Sequence, residues 1–586
     1  MYMGSRLRRM RTRTRALTAG TAATVLALGL ASCANTEDSD GNNDAAGEAS
    51  TSVVVARKDD NRPYREARAT NVSRAVSEEF PAEPTVVSDP DYSGIGASRM
   101  FFDQSDTAVV SGAGIAQELR AASIGVVSHA PVLHAPGHND GDILDEIDRL
   151  GATTVLIVGD ALPDLEDSGD LTVIRDRGTD ESLAQLTALQ FEPRTVDDIS
   201  GVSRATADLD PAEHTLLVPA WETMPETTGG DDLPAFPAQS ARDGEMAPIV
   251  LASPESGISS VATARAYGAP VRFMDYPDPR LNTEHMEMVA GLSDKPLLAL
   301  GDQFGTGEQL AAKIERGETV TEELPGGGGL VFPGRRMIAF YGHPSGPALG
   351  AMGEQPPAEA AQRALDKAAE YQAFEDQPVI PAFEIIATVA SEFPGPDGNY
   401  VNESDPADLV PYIDAITEAG GYVVLDIQPG RSTFLELAKI YEDLLKRPNV
   451  GLALDPEWRI GADELPMARV GSVEAAEVNE VADWLANLVR EEELPQKAFV
   501  LHQFQLQMLR DREQINTDHI ELAFVLHADG HGTPGQKYDT WNVLRQDLDP
   551  GFFMAWKNFY DEDFPTFTPQ QTFEEVDPRP WFVSYQ

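Results

Sequence analysis

The chain has 586 residues, with 96 acidic against 44 basic side chains and a formal charge of −52 at pH 7. That balance repels nucleic acid and anionic surfaces, and nucleic acid is excluded as a partner. The single cysteine, Cys33, excludes an intrachain disulfide, so stability rests on apolar cores, and the length is enough for two of them.

Arg6, Arg8, Arg9, Arg11, Arg13 and Arg15 precede an apolar stretch, Ala16 to Leu30, that is short for a bilayer span. This is the layout of a cleaved export signal. Leu30-Ala31-Ser32-Cys33 resembles the lipobox of bacterial lipoproteins. The resemblance implies cleavage before Cys33 and diacylation of its sulfur, which anchors the mature chain on the outer side of the cytoplasmic membrane. Residues 1–32 are then a lipoprotein signal peptide, and losing their six arginines moves the formal charge from −52 to −58. Residues 33–90 read as a lipid-anchored disordered tether. Asn35 to Ser52 is rich in Asp, Asn, Gly, Ala and Ser, and such a stretch reaches about 20 to 25 Å.

Residues 91–320 alternate short apolar runs with helical patterns, the mark of parallel α/β units. Strands are predicted at 108–110, 124–127, 154–158, 216–218, 249–252, 271–274 and 297–300. A weak repeat pairs Gly114-Ile115, Ala130-Pro131-Val132 and Gly159-Asp160 with Gly257-Ile258, Ala269-Pro270-Val271 and Gly301-Asp302. Two related units of one three-layer architecture fit it. Ser98-Arg99, Asp106-Thr107-Ala108, Ala130-Pro131-Val132 and Val158-Gly159-Asp160 resemble a diverged cell-wall-binding repeat of the type 2 family. That resemblance implies attachment to cell-envelope polysaccharide or peptidoglycan, normally through three copies. Ser111-Gly112-Ala113-Gly114 lacks the third glycine of a dinucleotide loop. His129, His134 and His138 have no structural-zinc spacing and read as surface or turn residues.

Residues 321–330, with four consecutive glycines, read as a linker. Residues 331–586 then carry eight β-compatible runs, at 337–340, 379–383, 422–425, 450–454, 498–501, 522–526, 552–556 and 581–584, most of them separated by amphipathic helices. Their number and spacing predict a (β/α)8 TIM-type barrel.

In such a barrel the chemistry gathers where the strands end. Tyr341 and His343 follow the first run, Glu384 the second, Asp426 and Gln428 the third, and Asp455 and Glu457 the fourth. His502 and Gln503 follow the fifth, His527 and Asp529 the sixth, Lys557 and Asn558 the seventh, and Tyr585 and Gln586 the eighth. Trp458, Trp556 and Trp581 sit at or beside strand ends, and flat rings beside carboxylates suit sugars. Glycoside hydrolysis needs one protonated carboxyl and one carboxylate. Asp455 or Glu457 is predicted as the acid, with Asp426 or Asp529 opposite. Tyr341, Glu384, Gln428, Trp458, His502, Lys557 and Asn558 are predicted as substrate-binding. Lys557 is placed as a charge partner for Asp455 or Glu457, lowering the carboxyl pKa.

Two further readings stand beside this one. Glu384, Asp426, Asp455, His502 and Asp529 are a donor set for a divalent cation in a metal-dependent hydrolase. No His-x-His or His-Glu-x-x-His signature accompanies them, so no metal site or cofactor is assigned. The other reading is a surface protein that binds glycan without cleaving it. Pro381-Ala382-Phe383-Glu384, Leu425-Asp426-Ile427-Gln428-Pro429-Gly430, Leu454-Asp455-Pro456-Glu457-Trp458, His502-Gln503-Phe504 and Trp556-Lys557-Asn558-Phe559-Tyr560-Asp561 resemble a group of actinobacterial surface lipoproteins. That likeness implies the architecture and the location and transfers no catalytic residue.

Overall fold

The structure, a computed structural model, describes residues 80–227, 233–238, 247–320 and 322–586. The signal peptide, Cys33 and most of the tether lie outside the described residues. No helix among those described is long and apolar enough to cross a membrane.

The N-terminal region holds two parallel four-stranded sheets. In one, Thr107–Ser111 lies between Val132–His134 and Thr154–Val158, and Thr172–Arg175 forms an edge. In the other, Ile249–Ala252 lies between Val271–Phe273 and Leu297–Leu300, and Pro84–Val87 forms the edge. The two sheets thus repeat one strand order, at the places where the sequence repeats. Pro84–Val87 corrects the tether boundary: the fold begins by Phe80, which packs on Phe101 and Tyr267. A four-residue edge strand with one partner carries almost no pattern in sequence. A third, smaller parallel pair, Glu192–Val196 with Thr215–Pro219, adds to the two expected units.

The strand expected at 124–127 lies inside the helix Ile115–Ser128. This helix is buried on almost every side, packed against Ile258–Tyr267 and Thr215–Pro219. A helix buried in this way, with polar Gln117, Glu118 and Arg120 buried among its apolar residues, loses its 3.6-residue stripe, so its apolar stretch 124–127 mimics a buried strand. His134 also departs from expectation: it is buried on a strand end, with Nδ1 3.1 Å from Ser111 Oγ.

The C-terminal region is a closed barrel of eight parallel strands: β1 Arg336–Gly342, β2 Val379–Ala390, β3 Tyr422–Ile427, β4 Val450–Leu454, β5 Lys497–Gln503, β6 Leu522–Ala528, β7 Phe553–Asn558 and β8 Phe582–Tyr585. Each strand pairs with its sequence neighbour, and β1 closes the ring by pairing with both β2 and β8. Alternation sorts the side chains. Ile338, Phe383, Leu425, Leu452, Phe499, Phe524 and Val583 face the surrounding helices. Met337, Ala339, Ala382, Val424, Ala453, Val500, Val525 and Ala555 fill the interior.

The glycine-rich segment before the barrel is packed rather than free. Leu324, Val331 and Phe332 join the interior cluster at the N-terminal ends of the strands, and the buried Arg335 guanidinium donates to the carbonyls of Pro325, Gly327 and Leu330. The N-terminal region docks at the same end. Arg280 donates to the Ile520 carbonyl (2.7 Å), Arg316 to the Val489 carbonyl (3.0 Å), and Gly329 N–H to the Arg280 carbonyl (2.8 Å). Glu521 lies between Arg490, at 3.0 Å, and Arg316, at 3.9 Å. These contacts involve residues that precede β1, β5 and β6, so the opposite, C-terminal face of the barrel stays clear of them.

Candidate functional site

Continuing the inward alternation by one step past the apolar layer gives one residue per strand: Tyr341, Glu384, Asp426, Asp455, His502, His527, Lys557 and Ser584. All eight are polar and all are buried. A core layer that is polar around the whole ring is costly unless its members satisfy one another or serve a ligand.

Much of the layer is cross-linked. Tyr341 donates to Asp426 Oδ2 (2.8 Å), and Gln428 Nε2 reaches the Tyr341 hydroxyl (3.3 Å). His502 bridges two acids, with Nε2 2.8 Å from Glu384 Oε1 and Nδ1 2.8 Å from Asp529 Oδ2. Lys557 lies 3.2 Å from Asp529 Oδ1 and 3.8 Å from the centre of the Tyr341 ring. His527 Nε2 contacts Ser584 Oγ at 3.0 Å.

The environments push the carboxyls apart. Burial raises Asp455 well above the usual range, and the charge of Asp426 adds to it. Burial lifts Asp426 to about 6, with Glu384 contributing, and burial with the nearby Asp529 charge lifts Glu457 to about 7. Burial opposes ionisation of Asp529 as well, but Lys557 and then His502 overcome it and hold this carboxyl low. Glu384 is likewise held low against burial, by His502 and His527. Burial would lower His502, yet Glu384 and Asp529 raise it well above its ordinary value.

Above the layer opens a cavity of about 580 Å³. Asp455, Glu457 and Asp529 reach it, as do Tyr341, Gln428 and Lys557, and Trp458, Phe504 and Phe559 supply aromatic wall. The Asp455 side chain accepts a hydrogen bond from the Glu457 backbone N–H at 3.3 Å, capping the short turn Pro456–Trp458 that carries Glu457 to the rim.

The structure therefore gathers the residues predicted as catalytic or substrate-binding, all but Asn558, with differences in role, whereas His343, Gln503 and Tyr585 turn to Ser404, Arg512 and Tyr371 instead. Glu384, Asp426 and His502 lie beneath the cavity rather than on its wall. Asn558 is not brought to it: outward alternation buries Asn558 against Trp556 Nε1 (3.0 Å) and Thr572 Oγ1 (3.2 Å). Trp556 packs outside the barrel on Trp541 and Phe567, and Trp581 packs on Phe332 at the far end. Lys557 pairs with Asp529 rather than with Asp455 or Glu457, and those two are raised rather than lowered. Ser584 and Phe559 were not predicted as site residues, nor was His527 singled out. Counting two residues on from each interior Ala, Val or Phe reaches His527 and Ser584.

No family model and no curated protein matches the chain. Among solved structures it is similar to Cwp8 from Clostridium difficile, at 14% identity and a TM-score of 0.27, over 40% of this chain and 52% of that one. The match thus spans about half the length of that protein.

Proposed function

We propose that this chain is an envelope protein, anchored at Cys33, whose barrel hydrolyses a cell-envelope glycan. One observation carries the hydrolase reading: a rim carboxyl, Glu457, and an ion-paired carboxylate, Asp529, share one aromatic-walled cavity. Glu457, lifted to about 7, is the general acid that protonates the leaving glycosidic oxygen. Asp529 takes the proton of the attacking water, whose oxygen bonds to the anomeric carbon as the glycosidic bond breaks. Asp455 positions Glu457 through its backbone amide. Trp458 and Phe504 offer apolar faces to a sugar ring, and Tyr341, Gln428 and Lys557 offer donors to hydroxyls. The envelope location rests on the lipobox-like Leu30 to Cys33 and on the wall-binding-like repeats.

The test is reducing-end release from wall arabinan, galactan and peptidoglycan fragments by the full-length chain. Release that Glu457→Gln abolishes supports the reading. Binding of one of these polymers with no release from any overturns the hydrolase and leaves a glycan-binding surface protein.

A further inference from the structure

Beneath the cavity, three side chains from β2, β5 and β6 converge in a way the hydrolytic reading does not use. Glu384, His502 and His527 are completely buried, and one ligand atom from each lies within 4.8 Å of the others. His502 and His527 stand side by side on paired strands, with ring centres 4.5 Å apart. Each imidazole is held from behind. His502 Nδ1 is bonded to Asp529 and His527 Nε2 to Ser584, so the remaining nitrogen of each ring faces Glu384. A partner on the far nitrogen orients the ring and aims the near nitrogen, as it does for histidines that ligate metal.

A proton shared between His502 and its two acids accounts for His502 alone. It leaves Glu384 Oε2, Asp426 Oδ1 and His527 Nδ1 buried without a hydrogen-bond partner among the described residues. In the tautomer that donates Nε2–H to Ser584, His527 Nδ1 turns a lone pair towards Glu384 Oε1 at 3.6 Å. Two acceptors facing each other repel unless a positive species lies between them. In the other tautomer, Nδ1–H points at Glu384 and Ser584 donates to Nε2, which still leaves Glu384 Oε2 and Asp426 Oδ1 without a partner among the described residues. The crowding of carboxyls points the same way: Glu384, Asp426, Asp455, Glu457 and Asp529 gather around only two cation-forming partners, Lys557 and His502.

We propose that Glu384, His502 and His527 form a binding site for one divalent transition cation on the floor of the barrel. Two imidazoles and one carboxylate suit Zn2+ or a near neighbour in the first row, and the nitrogen share disfavours Mg2+ and Ca2+. The cation binds the near nitrogens and Glu384, and it neutralises part of the acid excess under the cavity. This inference stands apart from the glycan reading, because metal uptake is measured without substrate and either can fail alone.

The experiment titrates the chelator-stripped full-length chain with Zn2+ and with Co2+, following heat, bound metal per chain and the visible absorption of Co2+. One equivalent is expected, with a visible Co2+ spectrum of low-symmetry nitrogen and oxygen ligation and a raised Tm. His527→Gln and Glu384→Gln are expected to abolish that equivalent. Should either fold poorly, Ser584→Ala touches no ligand atom and is expected to weaken binding about tenfold or more by freeing the His527 ring. Failure of the unaltered chain to take up one equivalent of either ion overturns the proposal. So does binding that Ser584→Ala and every foldable ligand variant leave unchanged.

Discussion

Glu457→Gln separates acid catalysis from every other use of the cavity. Burial, reinforced by Asp529, lifts the Glu457 carboxyl from 4.5 to about 7. A general acid works only while protonated. In the unaltered protein kcat/KM therefore falls about tenfold per pH unit above 7, because the deprotonated fraction grows in that proportion. Glutamine keeps the size and the polarity but has no acidic proton, which costs about a hundredfold to ten-thousandfold on a natural glycan. Two readouts distinguish this from general damage. The alkaline limb disappears from the variant's profile, and an aryl glycoside whose leaving group needs no proton recovers most of the rate. Reducing-end assays across pH 5 to 9, with both substrate types, measure all three effects. Full activity of Glu457→Gln on polysaccharide, or an alkaline limb that survives the substitution, would refute the assignment.

Lys557→Met removes one of the two cations paired with the buried Asp529 carboxylate, leaving His502 in place, and is expected to cost about 3 kcal/mol, the low end for a broken buried pair, in denaturant unfolding at pH 7. Asp529 is held below its unfolded pKa, so its paired state contributes stability above that unfolded value and loses it as pH falls. The deficit of Lys557→Met should accordingly shrink towards acid, and a deficit independent of pH would count against the pair. In the N-terminal region burial raises Glu118 to about 8, with the Glu222 charge adding to it. The folded chain binds the extra proton between the unfolded carboxyl pKa and about 8, so stability falls as pH rises through that window. Glu118→Gln should remove this slope in a melting series from pH 5 to 8, and an unchanged slope would argue against it. Cys33→Ser should shift the protein from the membrane pellet to the soluble fraction in cells, and retention in the pellet would remove the lipid anchor.

The barrel is legible in sequence because its strands are uniform, short apolar runs set between helices with clear stripes, such as Val478, Val481 and Leu485 on one face. Strand ends are legible too, since polar residues break each run. What sequence hides is direction. Asn558 and Lys557 are adjacent at one strand end, yet alternation sends one into helix packing and the other into the barrel. Trp581 immediately precedes its strand rather than ending it, so it belongs to the opposite face. The helix Ile115–Ser128 and the strand Pro84–Val87 are illegible for opposite reasons, the first because burial on all sides erases its stripe, the second because four residues with one neighbour scarcely have one.

The docking of the N-terminal region onto the end of the barrel opposite its mouth has a mechanical meaning. Arg280, Arg316 and Glu521 join the two halves through partly buried ionic and backbone contacts at the end of the barrel away from its mouth. If the first half binds a wall polymer as proposed, that polymer could not run straight into the cavity of the second, since the whole depth of the barrel stands between them. Under the proposed function such a molecule would work in trans, with one strand of a mesh held by the first half and another presented to the open end of the barrel.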